Sequence, residues 1–441
     1  MKRLATALIG IALAAGFTIA DAQEDLRVYV IVVDGLHPDE VGPLTPTLSE
    51  LKANGTWYEN ARAVMIAETL PNHVAMMTGV VPAKNGIVAN DYFNVATQAI
   101  TRMQNPELIE APTLVTRLEG DECAGNVSTA TIQSKTYLFN IFKKGGVQNQ
   151  ADFHWQPFPV IPVSEHAPDA ATMEAFLQWL VFDDRPTPHF TFVNLGDVDR
   201  SGHADPSGNV GLPAFRQSSL THTDTQLRVL VETLKLLGAW ESTVLIVVSD
   251  HSMDWSLPTN VINLAPVVGG AGQVVQNGGG EMIYLNDPTA QNIAAMAATI
   301  EAVPGVEIAV TATSDPSLEE LGLDHPTNTG HLVAFAQDGW RFSDPSTTSN
   351  PIPGNHGHAV TQPSVLLVTG GHPLLAAPNT VTGTALVADD IPEAPLGLNV
   401  YGNLNVAPTV AALFGLSTAG YDVPPLAAAF ESLSPDGPCT P

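Results

Sequence analysis

Basic residues are scarce in this chain of 441 residues. It has 17 lysines and arginines against 45 aspartates and glutamates, which gives a formal net charge of −28 at pH 7. A surface this acidic repels nucleic acid backbones and anionic membranes, which argues against binding of a polynucleotide through a basic patch. A small anionic substrate would therefore have to be attracted locally, by metal ions.

Long apolar segments are also lacking, apart from one at the N-terminus. Two basic residues there precede about 14 apolar residues from Leu4 to Phe17, fewer than the roughly 20 that span a bilayer. Ala20-Asp21-Ala22 then supplies a cleavage site of small residues. The pattern predicts a signal peptide over residues 1–22 and a mature protein in the periplasm or outside the cell, with no membrane span.

Cysteine is nearly absent, since the chain contains only Cys123 and Cys439. Neither lies near the predicted cleavage site, which argues against a lipid-anchored lipoprotein. In an oxidising compartment the two could form one disulfide that ties the C-terminus to the core. Two unpaired buried thiols are the alternative.

Apolar runs typical of buried strands alternate with helical patterns along the chain. The strand-like runs cover residues 26–33, 190–195, 244–248 and 365–368, and the helical patterns cover 46–54, 72–78, 171–182, 213–237 and 405–414. Such runs are typical of parallel strands that helices cover on both faces. We therefore predict an α/β fold, specifically a three-layer α/β/α sandwich with a mostly parallel central sheet.

The segment 255–350 has a different composition. It contains a glycine-rich run at 269–280, two strand-like stretches that flank a helical one, and a loop rich in Pro, Ser and Thr. The glycine run lacks the Lys-Ser/Thr pair of a P-loop and does not join a strand to a helix, so we interpret it as a flexible loop. We predict a small α+β insert at 255–350 within a core formed by residues 23–254 and 351–441, although two separate domains would also fit the length.

Several of the predicted strands are followed by acidic and histidine residues. The set comprises Asp34, Asp199, His203, Asp250, His251 and His356, with His358 as a rival to the last. The carboxyl ends of parallel strands meet at one edge of a sheet, where α/β proteins place their chemistry. Carboxylate and neutral imidazole are the ligands that catalytic zinc takes. Taken alone, each residue also has a structural explanation; Asp34, for example, could cap a helix.

Thr69 stands at the head of a predicted helix, within the segment ETLPNH from Glu68 to His73. Its hydroxyl could meet a phosphate group at the helix N-terminus, where backbone N–H groups stabilise negative charge. The same oxygen could instead serve only as an N-cap.

These segments together resemble the alkaline phosphatase superfamily and, within it, the nucleotide pyrophosphatase/phosphodiesterase branch. The resemblance rests on seven motifs in the expected order, namely VVDG, TPTLSELKANGT, TLPNH, TGVVPAKNGIVAND, DRSGH, SDHSM and NHG. It implies an alkaline phosphatase-like catalytic core that binds two Zn²⁺ ions. Asp34, Asp250, His251 and Thr69 would hold one ion, and Asp199, His203 and His356 would hold the other.

The resemblance also implies how catalysis would proceed. Thr69 would be the covalent nucleophile, because coordination to zinc lowers the pKa of a hydroxyl enough to form an alkoxide. Asn90 matches the asparagine that contacts an oxygen of the phosphate group. The absence of a Cys or Ser at position 69 and of the arginine of the sulfatase motif argues against a sulfatase.

The kind of ester is less well defined by the motifs. Gln133-Ser134-Lys135 resembles a stretch that monoesterases and phosphonate hydrolases of the superfamily use to bind additional phosphate oxygens, which makes Lys135 a candidate phosphate contact. Those relatives carry a second basic residue where this chain has Tyr137, and this difference counts against a monoesterase. Lys135 could also be an ordinary surface lysine.

We therefore predict an exported two-zinc hydrolase of small phosphate esters, foremost a phosphodiesterase with a phospho-threonine intermediate. An alkaline phosphomonoesterase or phosphonate hydrolase is the first alternative. A non-catalytic metal-binding or phosphate-binding protein is the second, although such a protein has no need of the nucleophile Thr69. The natural substrate and the oligomeric state do not follow from the sequence.

Overall fold

A computed structural model of the protein describes residues 26–120, 123, 127–162, 164–182, 187–204, 214–257, 259–343, 353–382, 400–433 and 439. The predicted signal peptide at 1–22 lies outside these residues. Within the described ranges, no helix combines the length and the apolar character that crossing a bilayer requires.

The described residues form eighteen strands, which we number in chain order. They are β1 (Arg27–Val33), β2 (Thr56–Tyr58), β3 (Asp91–Asn94), β4 (Ala99–Arg102), β5 (Thr129–Gln133), β6 (Phe153–Trp155), β7 (Phe190–Leu195), β8 (Thr243–Val248), β9 (Asp254–Trp255), β10 (Val261–Ile262), β11 (Gly272–Asn277), β12 (Gly280–Leu285), β13 (Val306–Val310), β14 (Leu332–Ala336), β15 (Arg341–Phe342), β16 (Gly354–Asn355), β17 (Leu366–Gly370) and β18 (Asn379–Val381).

The α-helices of the same residues are numbered likewise. They are α1 (Pro46–Ala53), α2 (Thr69–Thr78), α3 (Pro82–Asn85), α4 (Leu114–Leu118), α5 (Thr136–Ile141), α6 (Asp169–Phe182), α7 (Asp197–Ala204), α8 (Ala214–Leu236), α9 (Ala265–Val268), α10 (Ala290–Glu301) and α11 (Val406–Leu413). Short 3-10 turns lie at Pro38–Glu40, Pro106–Leu108, Trp240–Ser242, Gly269–Ala271, Ala359–Thr361, Asn403–Asn405 and Ala427–Ala429.

An eight-stranded sheet forms the centre of the fold, in the order β18-β2-β17-β8-β1-β7-β5-β6. Strand β1 pairs in parallel with both β7 and β8, and β5 pairs in parallel with β6 and β7. The predicted mostly parallel sheet is thus confirmed. Every residue of β7 and β8 is buried, as expected for strands that are covered on both faces.

Helices cover both faces of this sheet. Alternate residues of β1 point to opposite sides, so that Val30 packs in one apolar core and Ile31 in the other. The core on the Val30 side includes apolar residues of α2, α5 and α11, and the core on the Ile31 side includes those of α1, α6 and α8. This arrangement is the predicted three-layer α/β/α sandwich.

The run at 365–368 differs from the prediction of a parallel strand. It forms β17, which is antiparallel to both of its neighbours, β8 and β2. A continuous apolar run indicates burial on both faces, but it carries no information about strand direction. Direction depends here on the path of the chain before the strand, which passes through Asn355 and His356 at the carboxyl edge of β8.

A second sheet lies within the predicted insert. It has the order β11-β12-β14-β13 and is antiparallel throughout, with α10 packed against it. The glycine-rich run interpreted as a flexible loop instead forms β11 and a tight turn into β12. Asn277 pairs with Gly280 across the turn, and Gly278 has a φ of 63°, which glycine adopts readily. The insert boundaries at 255 and 350 stay a prediction.

The two cysteines form a disulfide, Cys123–Cys439. Both are buried in the core that contains α2 and α11, and the backbone N–H of Cys439 donates a hydrogen bond to the carbonyl oxygen of Phe414. The alternative of two unpaired thiols is therefore wrong for this structure. The bond closes a loop of 316 residues in sequence.

Replacement of both cysteines by serine should lower the free energy of unfolding, because the cross-link restricts the unfolded chain. We expect a loss of about 2–5 kcal/mol, measured as a lower urea midpoint of the double variant at unchanged slope. Each single variant should match the double variant. A urea midpoint of the double variant equal to that of the parent protein would contradict the pairing. So would two titratable thiols in the parent protein.

Candidate active site

Four adjacent strands of the central sheet bring polar residues to one edge. Strands β8, β1, β7 and β5 run in parallel, and their carboxyl ends lead respectively to Asp250, Asp34, Asn194 and Lys135. All four side chains are buried. Because parallel strands end on the same side, residues up to 216 positions apart in sequence become neighbours there.

One group of potential metal ligands consists of Asp34, Asp250 and His251. One ligand atom from each lies within 4.8 Å of the others. Nε2 of His251 is 3.3 Å from Oδ2 of Asp250 and 3.8 Å from Oδ1 of Asp34. Burial together with the charge of Asp34 raises the pKa of Asp250 well above its usual range.

A second group consists of Asp199, His203 and His356, with the same 4.8 Å limit between ligand atoms. Nε2 of His203 lies 3.3 Å from Oδ1 of Asp199, and Nε2 of His356 lies 3.6 Å from the same oxygen. The rings of His356 and His251 stack at 3.7 Å between centroids, so the two groups are direct neighbours. All six residues predicted as ligands are therefore brought together in two groups of three.

The other ring nitrogen of each histidine faces a backbone carbonyl. Nδ1 lies 2.9 Å from the oxygen of Ser252 for His251, 2.7 Å from Gly354 for His203, and 3.2 Å from Ala67 for His356. A proton on Nδ1 satisfies each carbonyl and leaves the lone pair of Nε2 for a metal ion. Burial lowers the pKa of His251 to about 4 and that of His356 well below its usual value, which keeps both rings neutral as a ligand requires.

The carboxylates also have the properties of metal ligands. Oδ1 of Asp199 and Oδ2 of Asp250 are buried and accept no hydrogen bond. Buried carboxylate oxygens without a partner are costly, and a divalent cation held by two carboxylates or by a carboxylate and histidines would remove that cost. The residues present thus fit divalent ions such as zinc.

Thr69 is the first residue of α2 and is buried beside both groups. Its Oγ1 lies 3.3 Å from Nε2 of His251. The carbonyl oxygen of Thr69 is 2.9 Å from Nδ1 of His73, whose Nε2 contacts Asn194 at 3.0 Å. The ETLPNH segment therefore fixes the hydroxyl at a helix N-terminus and next to the metal ligands.

Asn90 is held close to Thr69 by three hydrogen bonds. Its Oδ1 accepts a hydrogen bond from the N–H of Leu70 at 2.9 Å, and its Nδ2 donates to Glu68 at 3.2 Å. Glu68 also accepts a hydrogen bond from the backbone N–H of Asn90 at 2.7 Å, and burial raises the pKa of Glu68 to about 8. Sequence reasoning missed Glu68 as a positioning residue, although its place directly before Thr69 was a usable signal.

Lys135 is fully buried, so its interpretation as a surface lysine is wrong. Its ammonium group donates hydrogen bonds to Oδ1 of Asp34 and Oδ2 of Asp199, each at 2.7 Å, and to Oγ1 of Thr69 at 3.2 Å. Burial opposes the charge of Lys135, but the two aspartates raise its pKa above the usual value. Lys135 thus bridges one carboxylate of each ligand group and touches the candidate nucleophile.

His358, the alternative to His356 as a metal ligand, lies in a different environment. Its Nε2 lies 3.1 Å from Oδ2 of Asp254, which also accepts a hydrogen bond from the N–H of Gly339 at 2.7 Å. His358 therefore links through Asp254 to the segment around Gly339, and it belongs to neither ligand group.

A cavity of about 210 Å³ opens beside these residues. Its lining includes Thr69, Asn90, Asp199, His203 and His356, together with Tyr137 and three arginines, Arg102, Arg200 and Arg341. The arginines come from β4, α7 and β15, which are distant in sequence. No motif identified them beforehand, apart from the position of Arg200 directly after Asp199.

Comparison with known proteins agrees with this geometry. The model of the type I phosphodiesterase/nucleotide pyrophosphatase family matches residues 28–359. The chain is 27% identical over 221 residues to mouse ectonucleotide pyrophosphatase/phosphodiesterase family member 1, a match of 48% of this chain and 22% of that protein. It is also 27% identical over 248 residues to a bovine bis(5'-adenosyl)-triphosphatase, a match of 54% of this chain and 50% of that protein. The matches therefore span half or less of these relatives.

Solved structures show the same fold. Murine ectonucleotide pyrophosphatase/phosphodiesterase 5 superposes with a TM-score of 0.70 at 18% identity, covering 90% of this chain and 97% of that chain. The human form gives a TM-score of 0.69 at 16% identity, covering 89% and 95%. Because the family model covers three quarters of the sequence and the motifs occur in order, this chain belongs to the type I phosphodiesterase/nucleotide pyrophosphatase family of the alkaline phosphatase superfamily.

Proposed function

We propose that the protein is a two-zinc hydrolase of small phosphate esters that acts foremost on phosphodiesters, with Thr69 as nucleophile. The observation that carries the proposal is the position of the Thr69 hydroxyl beside two groups of three metal-ligand side chains. Family membership supports hydrolysis of phosphodiesters or nucleotide pyrophosphates. One solved structure is that of the murine relative in an inactive form in complex with AMP, which supports a nucleotide-like substrate for this chain.

Asp34, Asp250, His251 and the Thr69 hydroxyl would hold one ion, and Asp199, His203 and His356 the other. When bound, the ions would lower the pKa of a coordinated hydroxyl and neutralise charge on the phosphate group and the departing oxygen. Zinc is the cofactor that best fits this mixture of carboxylate and imidazole ligands.

The residues of the chain would carry out the transfer in two steps. Oγ1 of Thr69 forms a bond to phosphorus while the bond from phosphorus to the alcohol oxygen breaks, and the alcohol leaves with the proton that Thr69 has lost. Water then cleaves the phospho-threonine, which releases the phosphate product and restores the hydroxyl. The N–H groups at the start of α2 and the amide of Asn90 would stabilise the phosphate oxygens, and Lys135 would stabilise charge on Oγ1.

We further propose that the protein is exported after cleavage behind residue 22. The basic and apolar N-terminal sequence supports this proposal, as does the disulfide, because such bonds persist in oxidising compartments.

A second candidate function is that of an alkaline phosphomonoesterase or phosphonate hydrolase. The contact of Lys135 with the Thr69 hydroxyl favours it, because an ammonium group there can neutralise the additional charge of a monoester. A binding protein without catalysis is not favoured, since it would have no use for a buried hydroxyl that an ammonium group and a histidine contact.

Substitution of Thr69 by alanine should lower hydrolysis of bis(4-nitrophenyl) phosphate by at least about 1,000-fold, because no oxygen remains to attack phosphorus. Zinc content, measured by atomic emission, should stay near that of the parent protein. Thr78→Ala, on the same helix but outside the cavity, is the matched control and should retain activity. Turnover within tenfold of the parent in Thr69→Ala would disprove the mechanism.

Removal of an aspartate or histidine ligand from either group should remove one ion. We expect about one zinc per chain after equilibrium dialysis of His203→Ala or Asp250→Ala, against two in the parent protein. The variant His222→Ala, which changes an exposed histidine, is the control and should bind two zinc ions. Treatment with a chelator should abolish hydrolysis by the parent protein, and zinc should restore it. Unchanged zinc content in both ligand variants would contradict the assignment.

Substitution of Lys135 by alanine should distinguish the two candidate substrates. If the ammonium group neutralises a monoester, kcat/KM for 4-nitrophenyl phosphate should fall at least about tenfold more than for bis(4-nitrophenyl) phosphate. Lys143→Ala, which removes a lysine outside the cavity, is the control. Equal losses on both substrates would indicate that Lys135 acts through Asp34 and Asp199 rather than on the substrate.

A further inference from the structure

The cavity beside Thr69 brings together several basic side chains in a strongly acidic protein. Arg102, Arg200 and Arg341 line it, and Lys135 contacts Thr69 from within the protein. Four of the 17 basic residues of a chain with net charge −28 are therefore gathered at one small cavity. The lining also includes three carboxyl groups, those of Glu68, Asp91 and Asp199, so its attraction for an anion depends on which cations these groups leave unpaired.

Two of these cations are already engaged by carboxylates. An ammonium group has three N–H donors, and those of Lys135 are directed at Asp34, Asp199 and Thr69. The guanidinium group of Arg102 forms two hydrogen bonds with Asp91, at 3.0 and 2.9 Å. Their charges are thus largely balanced within the protein.

Arg200 differs from both. Its guanidinium group forms no hydrogen bond with any residue that the structure describes, and its Nε is buried without a partner. Its closest carboxylate oxygen, Oδ2 of Asp199, is 4.0 Å away. The side chain is 23% exposed, so its remaining donors can be reached from the cavity. A buried donor without a partner is costly unless a ligand satisfies it.

The ring of Tyr137 lies against this guanidinium group. The central carbon of Arg200 lies 5.9 Å from the centroid of the Tyr137 ring, and that of Arg102 lies 5.1 Å from it. These distances are typical of cation–π contacts, which orient a guanidinium group without consuming its N–H donors.

The rest of the lining is also polar. Among the described residues, no aliphatic side chain lines the cavity, and Tyr137 is its only aromatic ring besides imidazole. An ester of an apolar alcohol therefore gains little binding free energy in this cavity, whereas an ester of a charged alcohol gains hydrogen bonds. On the basis of the proposed function, we infer that Arg200 binds a second negative charge of the substrate. Esters with two negative charges at or next to the transferred phosphoryl group are then preferred to simple diesters with one.

The second charge could belong to the phosphoryl group of a monoester or to an anionic group on the esterified alcohol. Three substrates with the same leaving group separate these sources, namely 4-nitrophenyl phosphate, 2-carboxyethyl 4-nitrophenyl phosphate and methyl 4-nitrophenyl phosphate. In the zinc-loaded enzyme, Arg200→Ala should lower kcat/KM for at least one of the first two by about tenfold or more beyond its effect on the methyl ester. Arg200→Lys should restore part of the difference.

Binding provides a second measurement that does not depend on turnover. The inhibition constant of inorganic phosphate should rise at least about tenfold in Arg200→Ala, while that of dimethyl phosphate, with one charge, should change little. Tyr137→Phe should resemble the parent enzyme, because the ring remains. Arg228→Ala, which removes an exposed arginine on α8 paired with Glu232, is the control for net charge.

Two results would overturn the role of Arg200. The first is an equal loss of kcat/KM on all three substrates in Arg200→Ala, which would indicate that the residue acts only through Asp199. The second is the absence of any loss. In either case the parent enzyme would still be an active zinc-dependent hydrolase. Failure of the parent enzyme to hydrolyse any of the three esters would instead disprove the proposed function itself.

Discussion

The burial of three carboxylates at one edge of the sheet is the constraint on which the site depends. Asp34, Asp199 and Asp250 are removed from water, and an uncompensated charge there would be strongly destabilising. Lys135 bridges the first two, and the histidines direct Nδ1 at backbone carbonyls and Nε2 toward the unsatisfied oxygens, where a metal ion would bind. The demand for positive charge in this volume explains why the same residues serve both as a structural network and as candidate ligands.

The architecture of the sheet creates this concentration of charge. Four parallel strands end at one edge, and each delivers an acidic, amide or ammonium side chain there. The antiparallel strand β17 completes the arrangement, because the chain that approaches it carries His356 past the same edge. The second, antiparallel sheet lies beside the cavity and contributes Asn277 to its lining. The central sheet thus positions the candidate ligands, while the second sheet contributes to the walls of the space in front of them.

Charge also organises the cavity on the substrate side. The protein as a whole repels anions, yet three arginines face the space beside Thr69. Arg102 is neutralised by Asp91, whereas Arg200 retains unused donors. The ligand groups and Arg200 therefore have separate proposed roles: the ligand groups would activate the hydroxyl, and Arg200 would select among esters by their charge.

The motifs of the sequence were sufficient to predict the fold class, the family, and the two groups of residues that the structure brings together. This was feasible because a candidate metal ligand such as Asp34 or Asp250 follows an apolar strand closely, and both the strand and its order along the chain are visible in the sequence. The hairpin in the glycine-rich run has a local signal, the turn Gly278-Gly279, which the interpretation as a flexible loop did not use. The direction of β17, the buried position of Lys135 and the separation of His356 from His358 were decided only by the tertiary structure. The tertiary structure alone also brings Arg102, Arg200 and Arg341 together at the cavity. These features depend on contacts between residues far apart in the chain, which local apolar patterns do not encode.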